Sequence, residues 1–240
     1  MKEAISLYCR ELKLGQGFVE NIYKTEAATH EEFLLKLLEN EMIKRKAMRK
    51  TKCIKSAKFD LIKTFEGYEF REVQIPRSIS REEIVNAEFI ERKENLLLYG
   101  QVGTGKTHLA TAIGVAACNQ LKSVRFYRTA ALVNELIEAK KNGNLNKFLK
   151  QLCTLDLLIC DEWGYIPLDR EGAQLLFQVI ADCYEKRSVI ITTNLEFGKW
   201  NTVFYDERLT SAIIDRLIHH SHILMFAGAS YRLKNTCMKQ

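Results

Sequence analysis

Apolar residues along the chain repeat with two different periods, and their alternation predicts an α/β fold. Short apolar runs typical of buried strands occur at residues 96–99, 124–127, 157–160, 188–192 and 222–226. Between them, apolar residues recur every three or four positions, which predicts helices at residues 107–119, 131–141, 145–152, 170–187 and 211–219. Strands that alternate with helices of this length predict a parallel sheet with helices on both faces.

The amino-terminal part of the chain has a helical pattern of its own. A capping box at 29–32 precedes apolar residues that share one helical face. The pattern breaks over residues 60–76, where aromatic and charged residues indicate a connector packed against the next domain. A second capping box at 80–83 begins a short helix. We therefore expect a small helical domain over residues 1–65 and an α/β domain over residues 66–240.

Length and composition agree with this arrangement and exclude other classes of protein. The 240 residues fit one full α/β core with something smaller attached, and 47% hydrophobic residues with only two prolines are typical of a folded chain. No apolar run reaches the roughly 18 residues that a membrane span needs, and the first residues lack a signal-peptide cleavage site. The seven cysteines include no Cys-x-x-Cys pair, which argues against disulfides and zinc knuckles. We expect a cytoplasmic protein.

Positive charge is concentrated in one segment, Lys44–Lys58, which has eight basic residues and no acidic one although the whole chain carries only +6. Such a run is either a solvated helix face or a sequence-independent, salt-sensitive contact to the phosphates of duplex DNA. The candidate DNA-binding residues are Lys44, Arg45, Lys46, Arg49, Lys50, Lys52, Lys55 and Lys58.

A glycine-rich turn follows the first strand of the α/β pattern. Its sequence fits G-x-x-x-x-G-K-[ST] in the strand–turn–helix context that this phosphate-binding motif requires. Glycines let backbone N–H groups and the helix amino terminus face phosphate oxygens. We expect Lys106 to reach the β- and γ-phosphates of ATP and the Thr107 hydroxyl to bind Mg²⁺. The candidate nucleotide-binding residues are Gly100, Gln101, Val102, Gly103, Thr104, Gly105, Lys106, Thr107 and His108.

The strand at 157–160 ends in two adjacent carboxylates, Asp161 and Glu162. We expect Asp161 to hold Mg²⁺ through its water shell and Glu162 to polarise the attacking water. A P-loop kinase has a hydroxyl acceptor and needs no such glutamate, so this pair favours hydrolysis over phosphoryl transfer. The strand at 188–192 leads to Asn194, which we expect to sense the γ-phosphate or orient the water, although asparagine is also a common helix N-cap.

Arg216 is a candidate catalytic residue contributed to a neighbouring subunit. In the helix predicted at 211–219 it lies roughly 130° from the centre of the apolar face, so we expect it to point away from the core. It is then either a surface residue or an arginine finger that reaches the γ-phosphate of a neighbour. Arg208, just before this helix, is the second candidate.

Three histidines, His219, His220 and His222, lie close together near the last strand. Consecutive residues cannot share one helix face, and no cysteine or carboxylate completes the spacing of a zinc site. The sequence therefore does not predict a metal site here.

Taken together, these segments resemble the AAA+ ATPases of the IstB family, transposition helper proteins, and their relatives, the DnaC-type helicase loaders. The resemblance covers nearly the whole chain and includes GQVGTGKTHLA, LLICDEWGYIPLD, IITTNLEFGKW and SAIIDRLIHHSHILMF. It implies a Walker A motif at 100–107, a Walker B pair at Asp161 and Glu162, a sensor asparagine at Asn194 and a box VII arginine at Arg216.

The resemblance has further implications for Arg232 and for partners. Arg232 resembles the sensor 2 arginine, but only 14 residues follow Phe226, so we expect no helical lid of full size. The resemblance implies a protein that binds DNA, assembles into an ATP-dependent oligomer and assists a transposase. The alternatives are a loader of a replicative helicase, a DNA-binding protein in which ATP is structural, and a small-molecule kinase, for which the sequence shows neither an acceptor pocket nor a basic lid.

Overall fold

A computed structural model describes residues 1–231 of the chain. Contacts divide the chain into two units, Met1–Lys52 and a second that begins at Cys53. The boundary near residue 65 stays a prediction, because a break in contacts does not by itself mark where a part of the chain folds independently. Within the described residues, no helix is long and apolar enough to cross a membrane.

Three helices account for the first unit: α1 (Lys2–Glu11), α2 (Gln16–Ile22) and α3 (His30–Ala57), the last of which extends past the end of the unit. A small apolar cluster of Cys9, Phe18 and Leu37 holds the unit together. Helix α3 continues through almost the whole basic segment, so all of its basic residues except Lys58 lie in this helix.

The second unit contains a six-stranded sheet in the described part of the chain. Its strands are β1 (Val73–Gln74), β2 (Asn95–Gly100), β3 (Val124–Arg128), β4 (Leu157–Asp161), β5 (Ser188–Thr193) and β6 (Ser221–Phe226). The order across the sheet is β1-β6-β2-β5-β4-β3. All neighbouring pairs are parallel except β1 with β6.

Helices cover both faces of this sheet, which confirms the predicted fold class. They are α4 (Arg81–Val85), α5 (Lys106–Asn119), α6 (Thr129–Lys141), α7 (Leu145–Leu152), α8 (Arg170–Cys183), α9 (Asn201–Phe204) and α10 (Glu207–Ile218). Successive strand residues point to opposite faces, so Leu96 and Leu98 join the core beside α5 while Leu97 joins the core beside α6, α8 and α10. Burial on both faces explains the continuous apolar runs.

Two helix boundaries differ from the sequence pattern by more than two residues. Helix α8 ends at Cys183 and not at residue 187, because Tyr184 is extended and Glu185 has a φ of +55°. Helix α10 begins earlier than predicted, because the Asp206 carboxylate accepts a hydrogen bond of 2.9 Å from the Leu209 N–H and caps it. The strand β1 was not predicted, since two residues are too few to show the alternation of apolar and polar residues that indicates a strand.

Candidate nucleotide-binding site

The carboxyl ends of three neighbouring parallel strands form the candidate site. Strand β5 lies between β2 and β4, with Tyr99 opposite Thr193 and Cys160 opposite Ile191. Parallel neighbours end at the same edge of a sheet, which is where open α/β sheets bind ligands. The glycine-rich loop after β2, the two carboxylates at the end of β4 and Asn194 after β5 therefore lie at one edge.

The loop after β2 has the backbone of a phosphate cradle. Gly103 and Gly105 have φ values of +81° and +97°, which side-chain-bearing residues rarely adopt. Gly105 is the N-cap of α5 and has no side chain to cap the helix, which leaves the first N–H groups for an anion. Lys106 Nζ donates to the carbonyls of Gly100 and Gln101, both at 2.7 Å, and so is held at the loop.

The last described residues also contact this loop. The Tyr231 N–H donates to the Gly103 carbonyl at 2.9 Å. A Cβ added at Gly103 would clash with Ser230 Oγ, so only glycine fits between this segment and the loop. The chain after β6 therefore returns to the phosphate-binding loop.

Asp161 is buried and lies at the centre of a group of three threonine hydroxyls. Thr107 Oγ1 lies 2.9 and 3.1 Å from its two carboxylate oxygens. The Thr192 hydroxyl also donates to this carboxylate, and the Thr129 hydroxyl donates to the Asp161 main-chain carbonyl at 2.8 Å. A carboxylate beside a hydroxyl gives the oxygen ligands that Mg²⁺ prefers, and the structure brings the predicted metal-binding pair, Thr107 and Asp161, together. Sequence reasoning missed Thr192 and Thr129, which reach Asp161 only through tertiary contacts.

Glu162 lies where the chain turns sharply out of the sheet. Its φ is +58°, a left-handed conformation that costs of the order of 1 kcal/mol for a residue other than glycine. Its N–H donates to Thr192 Oγ1 at 3.0 Å, which fixes this turn, while its side chain is exposed at the strand edge. Thr192 thus forms hydrogen bonds both with the buried Asp161 carboxylate and with the backbone of the exposed Glu162.

Asn194 follows β5 directly and is exposed at the same edge. The hydroxyl of the preceding residue, Thr193, makes two hydrogen bonds. It donates to the Trp163 carbonyl at 2.8 Å and accepts from the Leu195 N–H at 3.0 Å. These bonds tie the end of β5 to the turn after β4, so the backbone around Asn194 is fixed relative to Glu162.

An aromatic segment lies beside the start of α5. The ring centroids of Tyr68 and His108 are 5.0 Å apart, and a Cβ added to Gly105 would lie 3.7 Å from the Tyr68 ring. His108 Nε2 lies 3.0 Å from the Thr64 carbonyl. Burial raises the pKa of Tyr68 above its usual value, so its hydroxyl stays protonated. The connector expected around residues 60–76 does pack on the α/β core, with Tyr68 next to the phosphate-binding loop.

Comparison with known proteins shows the family to which the chain belongs. The sequence profile described as "IstB-like ATP binding protein" matches residues 16–238. The chain belongs to this IstB-like family. A relative from Geobacillus stearothermophilus, named "Insertion sequence IS5376 putative ATP-binding protein", is 37% identical over 245 residues, which cover 100% of this chain and 98% of that protein.

Solved structures confirm the AAA+ fold of the IstB-like chain. The DnaC helicase loader matches with a TM-score of 0.53 at 21% identity, over 68% of this chain and 96% of that one. The replication initiator DnaA, bound to AMPPCP and single-stranded DNA, matches with a TM-score of 0.53 at 24% identity. That match covers 71% of this chain but only 52% of DnaA. ATP binding is the property that the family description names, the solved structures show the fold, and the cradle described above fits the nucleotide.

Arg216 of the IstB-like protein is less exposed than its position in the sequence predicts. Its side chain is half-buried, with Nη1 donating to the Ala212 carbonyl at 3.0 Å and the guanidinium 5.1 Å from the centre of the Phe177 ring. Arg208 is exposed in the first turn of α10. Arg232, the expected sensor 2 arginine, lies outside the described residues.

The histidines near β6 separate into two environments. His222 is buried, with Nδ1 2.7 Å from the Ser78 hydroxyl and Nε2 3.0 Å from Glu94. His219 and His220 instead lie with Glu185 in a group whose ligand atoms are all within 4.8 Å of one another. The sequence spacing around these histidines contains no suitable carboxylate, and Glu185 comes instead from a distant part of the chain.

The basic segment of α3 presents its charges to solvent. Seven of the eight side chains are exposed and Lys50 is half-buried. Arg45 has partners within its own unit, since its Nε donates to Glu41 at 2.7 Å and its guanidinium also contacts the Lys13 carbonyl. At about 100° per residue, positions 46 and 50 share one side of the helix and positions 45, 49 and 52 another. The charge thus surrounds much of the helix.

Proposed function

We propose that this IstB-like protein hydrolyses ATP, binds duplex DNA through the basic segment of α3, and in its ATP-bound, self-associated form assists a transposase. The contact between Thr107 and Asp161 carries the first part of the proposal, because it joins the phosphate-binding loop to the strand that Glu162 directly follows. A protein that only stores ATP needs the loop but no carboxylate beyond the metal ligand.

Each residue at this edge of the sheet has a different role in the proposed hydrolysis. Thr107 and Asp161 would hold Mg²⁺, which when bound neutralises charge on the β- and γ-phosphates. Lys106 places a positive charge at the phosphates, and Glu162 accepts a proton from the attacking water. Asn194 orients that water from the end of β5. Gln101, Val102 and Thr104 contribute loop backbone, and His108 supports the loop from the first turn of α5.

Arg216 completes this site from a neighbouring subunit in the proposal. Charge on the γ-phosphate grows most at the transition state, so a guanidinium supplied there speeds hydrolysis without being needed for binding. Its packing on Phe177 holds the guanidinium before assembly, and the neighbour's phosphate must draw it away from the Ala212 carbonyl.

Binding of duplex DNA is supported by the density and exposure of charge on α3. Every contact between a lysine or arginine and a phosphate releases counterions, so affinity from such a segment depends strongly on salt and little on sequence. Because Arg45 is bonded within its unit, we expect Lys46, Arg49, Lys50 and Lys52 to supply more of the affinity.

The transposase as partner is supported by the name of the relative from insertion sequence IS5376. The similarity to the DnaC helicase loader is a similarity of fold. A pull-down in ATP separates the two partners: the transposase of an insertion sequence should be retained on DNA only when this protein is present, whereas a replicative helicase should not be retained. Retention of the helicase alone would favour the loader alternative.

One assay tests hydrolysis together with DNA dependence. Phosphate release is measured with the purified protein, Mg²⁺ and ATP, with and without duplex DNA of mixed sequence. We expect steady turnover that DNA increases, because DNA concentrates subunits and so forms sites between neighbours. Tight ATP binding without any phosphate release, with or without DNA, would show that the nucleotide is structural.

A further inference from the structure

Two consecutive histidines and a glutamate meet on the surface at the edge of the sheet opposite the nucleotide site. His220 Nε2 lies 3.2 Å from Glu185 Oε1, and the ring centroids of His219 and His220 are 4.3 Å apart. One ligand atom from each of these three residues lies within 4.8 Å of the others. Glu185 precedes β5 and the histidines precede β6, so the group lies at the amino-terminal edge of these parallel strands.

The backbone conformation explains how the consecutive residues His219 and His220 can both face Glu185. In a regular helix consecutive side chains diverge by about 100°, but His219 is the C-cap of α10 and His220 already lies beyond the helix. Glu185 lies in the turn after α8, where its φ of +55° turns the chain. Two chain reversals, 34 residues apart at Glu185 and His219, thus bring their side chains to the same place.

The spacing suits a tetrahedral metal ion. Zinc bonds to histidine nitrogen and carboxylate oxygen are about 2.0–2.2 Å long, which places two ligand atoms of a tetrahedron roughly 3.3–3.6 Å apart. The distance of 3.2 Å between His220 Nε2 and Glu185 Oε1 is close to this value before any adjustment. Glu185 and His219 are exposed and His220 is half-buried, so a metal ion can reach the group from solvent.

Tyr184 orients one of the ligands. Its hydroxyl lies 2.9 Å from His219 Nδ1, which fixes the ring and leaves Nε2 as the atom available to a metal. Metal-bound histidines usually donate a hydrogen bond from their other ring N–H to an oxygen acceptor, and the phenol oxygen can accept this bond. The group therefore has three ligands and an outer partner.

We propose that Glu185, His219 and His220 bind one divalent transition metal ion of the zinc class, with a fourth position open to water. Two nitrogens and one oxygen match zinc rather than Mg²⁺, which prefers oxygen ligands only. The ion joins the turn after α8 to the end of α10, so it stabilises the packing of the helix that carries Arg216. This site is separate from ATP binding and does not rest on the proposed function.

Zinc binding to the whole, untagged protein tests the proposal, since a polyhistidine tag would bind zinc itself. After removal of metal with a chelator, titration calorimetry with Zn²⁺ alone should show one ion per chain. Glu185→Gln and the double variant His219→Ala/His220→Ala should each weaken binding at least about tenfold, since even outer partners of metal ligands carry effects of this size. His30→Ala, an exposed histidine in α3, is the matched control and should bind as the wild type does.

Two results would overturn the site. Equal zinc affinity in the wild type and in both variants would mean that zinc binds elsewhere or only adventitiously. A visible spectrum of the Co²⁺-loaded wild type that is octahedral, as in water, would exclude the four-coordinate site without relying on any variant. ATP affinity and the melting temperature without metal, measured on every variant, distinguish loss of the site from loss of the fold.

Discussion

Thr107 and Asp161 lie 54 residues apart in the chain and yet share a hydrogen bond of 2.9 Å. Thr107 lies in the first turn of the helix after the phosphate-binding loop, and Asp161 ends a buried strand two places away across the sheet. Their contact fixes the position of the loop relative to Glu162. In the proposed mechanism, hydrolysis depends on this relative position.

Replacing Lys106 with alanine should abolish productive ATP binding. The phosphates would lose their nearest countercharge, and no other side chain of the loop is cationic. Binding of a fluorescent ATP analogue measures the effect, and Lys141→Ala, an exposed lysine at the end of α6, is the control. Unchanged affinity in Lys106→Ala would remove the assignment of this loop.

Replacing Glu162 with glutamine should preserve ATP binding and slow phosphate release by about 10²-fold or more, because the amide cannot accept the proton from water. The left-handed φ at this position adds a second test. Glu162→Gly should fold at least as stably, since glycine adopts that φ without strain, and should be as inactive as glutamine. Normal turnover in either variant would exclude Glu162 as the base.

Replacing Thr192 with valine should reduce both stability and turnover. The change leaves the buried Asp161 carboxylate without one donor and the Glu162 N–H without its acceptor, a loss of about 1–3 kcal/mol. Chemical denaturation measures the first effect and phosphate release the second. Thr192→Ser should restore both, and Thr202→Val, at an exposed site, should change neither.

Arg216→Ala should slow hydrolysis while leaving ATP binding nearly intact. If the guanidinium acts on a neighbour's nucleotide, mixing this variant with Glu162→Gln should restore part of the activity, because some sites then combine an intact glutamate with an intact arginine. Arg208→Ala, mixed with Glu162→Gln in the same way, separates the two candidate arginines. Absence of rescue at every mixing ratio would favour a packing role against Phe177.

Neutralising Lys46, Arg49, Lys50 and Lys52 together should weaken duplex DNA binding by several orders of magnitude at moderate salt. The slope of log K against log salt should fall by up to about four, roughly one for each phosphate that the variant no longer neutralises. ATP binding should persist. Binding is measured by fluorescence anisotropy across a salt series in the presence of ATP.

The control for this variant removes the same charge elsewhere. Lys141, Lys147, Lys150 and Lys186 are exposed lysines outside α3, and changing all four to glutamine should leave the salt slope unaltered. Equal reductions of DNA affinity in the two quadruple variants would mean that net charge, and not the basic segment, determines DNA binding.

The sequence by itself determined the strands, most helices and the two phosphate-site motifs, because each rests on local information. Burial on both faces makes a parallel strand continuously apolar, and the strand ends place Asp161 and Glu162 at a known edge. The glycine-rich loop is likewise encoded by adjacent residues, since its backbone conformation needs glycine at fixed positions.

Only the tertiary structure decided the contacts between distant segments. Thr192 reaches Asp161 because β5 lies between β2 and β4, an order that no local pattern contains. The packing of Arg216 on Phe177 and the meeting of Glu185 with His220 depend on how α8 ends and how α10 crosses it. Periodicity reports which face of an element is buried, but the partner on that face is set by the packing of the whole domain.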